Sequence, residues 1–465
     1  MPGLISAYRR SLPLFASLLA FAGCSASSPP RKPTAAPRTP PVFYTPPASF
    51  ATPSVAPKPA NVMLGIDVLE ADGFAAVKGK RIGLLTHPAG VNRRGVSTVE
   101  VLRRAPGVKL VALFGPEHGV YGDFKAEVNF GDAIDKRTGL PMYSVYSAPG
   151  RRPTKAMLRG LDAVVVDLQD IGTRSYTFSS AMKRMMEGCF EHGVEVIVLD
   201  RPNPLGGLKV DGPLLDAAYA TNNYVGAFRV PYVHGLTIGE LARMAKDLHP
   251  PGGLEIKEAL RVRGKLTVIP MRGWSRSMRW PETGLPWIAT SQMIQDFSAV
   301  MGYPMVGLGT YVSRTENFDI GIDHGVGKMY AFRGLSARTA KPDALEKELK
   351  ALDLPGLRFF RVSAPDKEGK PAIGLFVEIT DYDAWRPVEL NFHLMKIACK
   401  LDRRNPFAPV RGRSFNGFLK HMGSAEFLAA LQRDGAGVDV EAFVRRWRQQ
   451  ATVYQQQSRK YWLYR

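Results

Sequence analysis

The sequence predicts an α/β protein: a Rossmann-like, doubly wound parallel sheet domain followed by a smaller α+β domain. Three observations predict it. Short apolar, β-rich runs alternate with helical stretches through the first half of the chain. The runs read as continuous Val/Ile/Leu segments, the pattern of strands buried on both faces. Polar and ionisable residues gather directly after the runs, where a parallel sheet opens its ligand crevice.

Composition is compatible with this. At 465 residues there is room for two or three domains, and 45% hydrophobic with 22% charged residues is a globular mixture. The formal net charge is +20; six basic and no acidic residues fall within 1–60, leaving +14 on the remainder. Such a surface favours an acidic polymer or anionic lipid, or serves as a plain solubility charge. No Lys/Arg block interleaved with aromatics reads as a nucleic-acid motif. No Cys-x-x-Cys and no His-Glu-x-x-His occurs, so no metal site is expected. No G-x-G-x-x-G opens a helix, so no cofactor is expected either.

Residues 1–24 combine Arg9-Arg10, an apolar run and Ala22-Gly23-Cys24. That is a positive n-region, an h-region too short to span a membrane, and a small-residue cleavage site. It resembles a bacterial lipoprotein signal ending at Cys24, with Phe21 where Leu is usual. The expectation is cleavage before Cys24, lipid attachment to it and export to the cell envelope. Ser25 in place of Asp points to the periplasmic face of the outer membrane. A plain secretory signal is the alternative. Residues 25–60, dense in Pro, Ala, Thr and Ser, read as a semi-rigid linker.

The first globular domain is assigned to 61–290. Helix onset falls at Gly65, a strand at Arg81–Thr86, and a capped helix at Ser97–Arg104. Lys109–Phe114 is the second strand and Ala163–Leu168 the third, preceded by a helical Thr154–Gly160. Ser179–Glu191 is a helix with Met and Phe at core spacing and Cys189 as a small apolar filler. Glu195–Leu199 is the fourth strand; Thr237 and Glu240 form a capping box; a further strand starts at Leu266. Trp274, Trp280 and Trp287, mixed with arginines, fit either a sugar-stacking wall or interdomain packing. From 291 to 465 the rhythm changes. Strands at Phe359 and Ala372–Thr380 and helices at Leu390–Leu401 and Val438–Gln457 suggest the α+β domain.

Each strand of the first domain ends in a polar cluster. Thr86, His87 and Asn92 follow the first, and Glu117-His118 follow the second after a Gly-Pro break. Asp167, Gln169, Asp170, Arg174 and Tyr176 follow the third; Asp200, Arg201 and Asn203 follow the fourth. His234 stands just before a helix start. Any one of these reads equally as a solvated loop, or His234 as a structural histidine. In a parallel sheet all four clusters share one edge, and that constellation predicts a pocket.

Phe114-Gly-Pro-Glu-His-Gly119, Asp167-Leu-Gln-Asp-Ile-Gly-Thr-Arg-Ser-Tyr176, Asp200-Arg-Pro-Asn-Pro204 and His234-Gly-Leu-Thr-Ile-Gly-Glu-Leu241 together resemble the NamZ/YbbC-like exo-β-N-acetylmuramidases. The resemblance runs from about Gly65 to the carboxyl terminus and is densest before residue 290. It implies a Rossmann-like domain and a smaller domain with the active site in the cleft between them. The implied activity is removal of N-acetylmuramic acid from the non-reducing end of peptidoglycan-derived muropeptides or disaccharides. The family's catalytic glutamate matches Glu117. One stretch departs: Leu308–Asn317 keeps Gly-Thr and Val-Ser but lacks the family's acidic and Gly-Arg-Gly elements.

Glycosidic cleavage needs an acid for the leaving oxygen and commonly a second carboxylate. Glu117 is the candidate acid/base, with Asp167 and Asp170 as candidates for the second. The substrate's 2-acetamido group is an alternative internal nucleophile. Arg174 and Arg201 are the candidates for its lactyl carboxylate. His118, Gln169, Tyr176, Asp200, Asn203 and His234 complete the expected substrate contacts. The departing 308–317 stretch favours a competing reading, a wall-binding lipoprotein without hydrolysis or one with altered sugar specificity. No G-x-S-x-G elbow supports an esterase.

Overall fold

The computed structural model describes residues 61–220, 223–247, 256–310, 319–338, 340–402 and 404–465. The expected signal, Cys24, the linker and positions 311–317 of the departing loop lie outside these residues.

Helix α1 (Gly65–Ala71) leads into β1 (Arg81–Thr86), α2 (Thr98–Arg104) and β2 (Lys109–Gly115). A small hairpin follows, β3 (Ala133–Ile134) with β4 (Pro141–Ser144), then β5 (Ala163–Asp167), α3 (Thr177–Glu191) and β6 (Glu195–Leu199). An antiparallel ribbon of β7 (Asp211–Leu214) and β8 (Pro231–Val233) precedes α4 (Ile238–Lys246), α5 (Glu258–Arg263) and β9 (Leu266–Ile269). The sheet order is β3-β4-β2-β1-β5-β6-β9, parallel except at β3. Taken in chain order, the parallel strands lie 3-2-1-4-5-6, the doubly wound arrangement whose direction reverses between β1 and β5.

Burial follows from the sequence. Val164 and Val166 of β5 face Met182, Met185 and Phe190 of α3 within one apolar cluster. Val165 faces the other way and joins Ile82, Leu84, Leu69 and Leu102 in a second. Both sheet faces are therefore covered, as continuous apolar strands require. Ser97 caps α2 through Glu100 N–H, and Thr237 with Glu240 forms the capping box of α4. Cys189 is fully buried in α3, and both it and Cys399 are free thiols.

One sequence expectation is corrected, and one pair of open alternatives is decided for packing. Thr154–Gly160 forms turns rather than a helix. It follows Pro153 and ends at Gly160 with φ +74°, too short a stretch to nucleate a helix. Trp274 and Trp280 are buried in packing, edge-to-face with Tyr464 and Trp287 respectively. They form no open stacking wall.

The second half opens with α6 (Phe297–Thr310), then β10 (Ile322–Asp323), β11 (Gly334–Ala337) and α7 (Pro342–Lys350). Strands β12 (Leu357–Pro365) and β13 (Pro371–Ile379) complete an antiparallel sheet ordered β10-β11-β13-β12. Helices α8 (Glu389–Leu401), α9 (Gly412–Met422), α10 (Ala425–Asp434) and α11 (Val440–Ser458) follow. One apolar cluster runs from Leu85 of β1 to Tyr461, so the two halves share a core. No helix among the described residues is long and apolar enough to cross a membrane.

Candidate active site

Beyond β2 the chain turns sharply. His118 sits at φ +73° and Gly119 at φ +78°, where a Cβ would stand 2.9 Å from the Phe124 ring. A left-handed histidine is strained, and such strain persists where the surroundings over-determine it, commonly at functional sites. The turn presents Glu117 and His118, each about 8% exposed, to a cavity of about 310 Å³. That volume suits a sugar-sized ligand.

Glu117 Oε1 accepts from Glu127 N–H at 3.0 Å, and Oε2 accepts from Thr177 Oγ1 at 2.6 Å. Thr177 opens α3, so the carboxyl group lies at the positive end of a helix dipole. Glu127 itself has φ +63°. His118 Nδ1 donates to Phe124 O at 3.0 Å, leaving Nε2 as the acceptor nitrogen. Behind Glu117, burial raises the Tyr146 hydroxyl to about 12, and the charge of Glu117 adds to the effect. The Arg151 guanidinium lies 4.1 Å and 4.5 Å from the centroids of the Tyr146 and Tyr224 rings.

Tyr176 also lines the cavity and donates to Thr290 Oγ1 at 2.7 Å. Burial, then the nearby charges of Asp170 and Glu117, push its hydroxyl upward. The second half contributes Tyr303, Phe332 and His421. Burial holds the His421 imidazole below its ordinary value, against the opposing pull of Gly417 O and Glu117. Lys125 is the one lysine or arginine among the described lining residues.

The other expected residues are placed differently. Asp167 is fully buried and chelated by Arg201, Nε to Oδ1 at 2.5 Å and Nη2 to Oδ2 at 2.9 Å, with Thr98 Oγ1 also donating. Arg201 adds a bond to Val91 O. Arg174 is fully buried and donates to four backbone carbonyls: Pro213, Val230, His421 and Met422. Burial lowers its guanidinium to about 10. Neither arginine faces the cavity, so both readings as lactyl anchors, and that of Asp167 as a second carboxylate, give way to internal bonding. Asp200 accepts from the backbone of Arg201 and Gly239 and from the hydroxyls of Thr237 and Tyr464. Burial raises its carboxyl to about 7. Asn203 bridges Leu205 N–H and Leu236 O. These are internal ties of the sheet edge, not cavity contacts.

Asp170, Gln169, His87 and His234 form a separate polar group at the reversal between β1 and β5. Gln169 N–H donates to His87 Nε2 at 2.9 Å, bridging the ends of the two strands. Gln169 Nε2 donates to Asp170 O and Pro202 O. Asp170 Oδ2 accepts from Gly172 N–H at 2.8 Å and lies 3.6 Å from His234 Nε2. Gly172 has φ +78° and touches Asn203, so a side chain there would break this turn.

Sequence reasoning missed Thr177, Lys125, Glu127, Tyr146, Tyr303 and His421. Thr177 had a signal, since it directly follows Tyr176. A larger hollow of about 700 Å³ involves Lys209, Arg279 and Tyr382. There Lys209 is bound to three backbone carbonyls and Arg279 to Glu282, so its cations are already engaged. No group of three or more His, Cys, Asp or Glu among the described residues could hold a metal ion.

Comparisons with known proteins place both halves of the chain. Residues 82–298 match the family model described as exo-β-N-acetylmuramidase NamZ, N-terminal, and 301–464 match its C-terminal counterpart. The peptidoglycan β-N-acetylmuramidase NamZ of Bacillus subtilis (strain 168) is 37% identical over 365 residues, covering 76% of this chain and 82% of that protein. A DUF1343-family crystal structure from Bacteroides fragilis NCTC 9343 superimposes with TM-score 0.75 at 34% identity, covering 87% of this chain and 100% of that one. A second from the same organism gives 0.61 at 24% identity over 87% and 99%, a likeness of fold alone.

Proposed function

Because this chain belongs to the exo-β-N-acetylmuramidase NamZ family, we propose that Glu117 is the acid/base of a glycoside hydrolase that releases N-acetylmuramic acid from the non-reducing end of peptidoglycan fragments. The observation that carries the reading is the setting of Glu117. It lines a sugar-sized cavity at the carboxyl edge of the sheet, fixed through both oxygens. A carboxyl group held at one position protonates the departing oxygen without reorganising. Lys125 supplies the cation for the lactyl carboxylate at the cavity mouth. Tyr176, Tyr303 and Phe332 offer ring surfaces to the sugar.

The test is hydrolysis of an aryl N-acetylmuraminide by purified protein. Turnover is expected, and Glu117→Gln should reduce it by about 100-fold or more. No turnover by the wild type, or undiminished turnover by the variant, refutes the assignment. The lipoprotein-like start supports a further part of the reading: a lipid-anchored envelope enzyme, attached through Cys24 at the periplasmic face of the outer membrane. Metabolic labelling with a fatty-acid analogue tests it; label that persists in Cys24→Ala, or no label on the wild type, removes the anchor.

A further inference from the structure

The surplus of +14 that residues 61–465 carry has little part in the cavity, where Lys125 is the one lysine or arginine among the described lining residues. Six exposed cations stand instead at the opposite, amino edge of the first sheet. Arg81 and Lys109 open β1 and β2, Lys78 and Arg159 lie in the turns before β1 and β5, and Arg263 and Lys265 come just before β9. Main-chain bonds tie these strand starts into one row. Gly79 N–H donates to Gly107 O at 2.8 Å, Lys109 to Lys80 O at 3.3 Å and Asp162 to Arg81 O at 2.9 Å. Glu195 N–H donates to Asp162 O at 3.1 Å and Val196 to Lys265 O at 2.9 Å. Five strands side by side make a row about 19 Å long. Left-handed Gly79 and Gly107, at φ +79° and +74°, keep the turns tight, so the row is shallow. Neither hollow described above includes a residue of it.

The acids of this face are already bound. Asp162 Oδ2 accepts from Arg81 N–H at 2.7 Å, and Glu195 accepts from Lys80 Nζ and Thr267 Oγ1 at 2.7 Å each. Glu191 pairs with Arg152 at 2.5 Å. None of the six cations forms an ion pair among the described residues. Arg81 Nε bonds Gly160 O at 3.0 Å, which fixes the side chain and leaves its charge unneutralised. A cation in the last turn of a helix has a local reason to be there, and that accounts for Arg263 of α5 alone. The carboxyl edge differs in sign. Loop 116–132, which carries Glu117, holds four acidic residues and one lysine. The two edges lie about 20 Å apart along β2.

We propose that this face docks on an anionic phospholipid surface and turns the carboxyl edge, with Glu117, away from the lipid. Docking requires neither hydrolytic activity nor an acyl chain. A plane of headgroups suits a shallow row of cations, whereas a glycan or peptide strand is held in a cleft that buries it. Each Lys or Arg near an anionic leaflet favours binding by about fivefold. The attraction fades within about 8 Å at physiological salt, so cations gathered in one row act together where scattered ones do not. Val262, 64% exposed beside Arg263, supplies an apolar side chain for the boundary between headgroups and acyl chains. The same lipid repels the acidic loop at the other edge. Charge thus sets which way the molecule faces, and the cavity opens toward the space beyond the membrane surface.

The test is amide hydrogen exchange of the full chain with vesicles of phosphatidylcholine alone, or of phosphatidylcholine with about 30% phosphatidylglycerol. Exchange in turns 78–81, 104–109, 159–162 and 263–265 should slow by about fivefold or more with the anionic vesicles only. It should recover as salt rises from about 50 to 500 mM. The readout is local, so a contact made by residues 1–60 does not enter it. The triple variant Lys78→Glu, Lys109→Glu, Lys265→Glu should abolish the protection. The triple variant Lys341→Glu, Lys347→Glu, Lys367→Glu, at three exposed lysines of the second half, should keep it. The comparison of the two vesicles needs no variant to fold. No protection with anionic vesicles, equal protection with neutral ones, protection of 116–132 instead, or equal loss in both triple variants overturns the proposal. So does protection of these turns by isolated peptidoglycan and not by vesicles, which assigns the face to an acidic polymer. Turnover of the aryl muraminide is read separately, so failure here leaves the muramidase standing.

Discussion

Asp167 illustrates how stability measurement separates an internal tie from a reacting group. Its carboxylate and the Arg201 guanidinium form a two-pronged pair at 2.5 Å and 2.9 Å, with exposures of 0% and 3%. At an effective dielectric of about 20 and charge separation of about 4 Å, their attraction is about 4 kcal/mol. Losing one partner of such a pair costs about 3–5 kcal/mol, since a charge is left buried and uncompensated. Asp167→Asn should therefore destabilise the protein by about 3–5 kcal/mol. Thr98→Val, which removes only the hydroxyl donor, should cost about 1 kcal/mol. The paired change Asp167→Asn with Arg201→Met removes the orphaned charge and should recover at least half of the single-variant loss. Urea unfolding followed by tryptophan fluorescence reads all three. A loss below about 1 kcal/mol for Asp167→Asn, alongside a 100-fold fall in kcat, would refute the reasoning and return Asp167 to the reaction.

Three other changes test neighbouring parts of the site. Thr177→Val removes the 2.6 Å bond to Glu117 and should lower kcat about tenfold or more while leaving the melting temperature nearly unmoved; equal kcat means the bond does not position Glu117. Lys125→Ala should raise KM for a muraminide several-fold but not for the matching glucosaminide, which lacks the lactyl carboxylate; equal effects on both argue against this lysine as the anion partner. Asp200 has an ordinary value near 3.8 that burial raises to about 7, with the charge of Glu240 adding and four hydrogen-bond donors opposing. Its contribution to stability is then full below about pH 4 and is lost as pH climbs through about 7. Asp200→Asn imitates the protonated form, so its melting temperature should decline less than that of the wild type between about pH 4 and pH 8. A steeper decline in the variant contradicts the assignment.

The strands of the first domain were readable because full burial on two faces leaves only apolar residues in the run, as in Ala163–Asp167 and Glu195–Leu199. Strand β4 escaped notice because Pro141–Ser144 is short and half-exposed, with neither alternation nor a continuous apolar run. Which polar residues collect at the sheet edge was equally readable, since strand ends fix their location. What each side chain faces was not. Arg174 and Arg201 stand in motif positions that suit an anion, yet their guanidinium groups are taken by carbonyls and by Asp167. His421 and Tyr303 reach the cavity from far along the chain, where local sequence carries no trace of the contact.

Arg174 has a consequence for how this protein can be inherited. Two of its bonds go to carbonyls of the first half, Pro213 and Val230, and two to carbonyls of the second, His421 and Met422. The family models meet between residues 298 and 301, which makes the gene look divisible there. Chemically it is not, since a buried cation and a shared apolar cluster cross that seam. The acceptors are main-chain oxygens, so an exchanged half would keep them only if it reproduced the backbone path at 213, 230 and 421–422. What crosses the seam is thus a constraint on backbone course, and side chains around it are freer to change than the loops that carry those carbonyls.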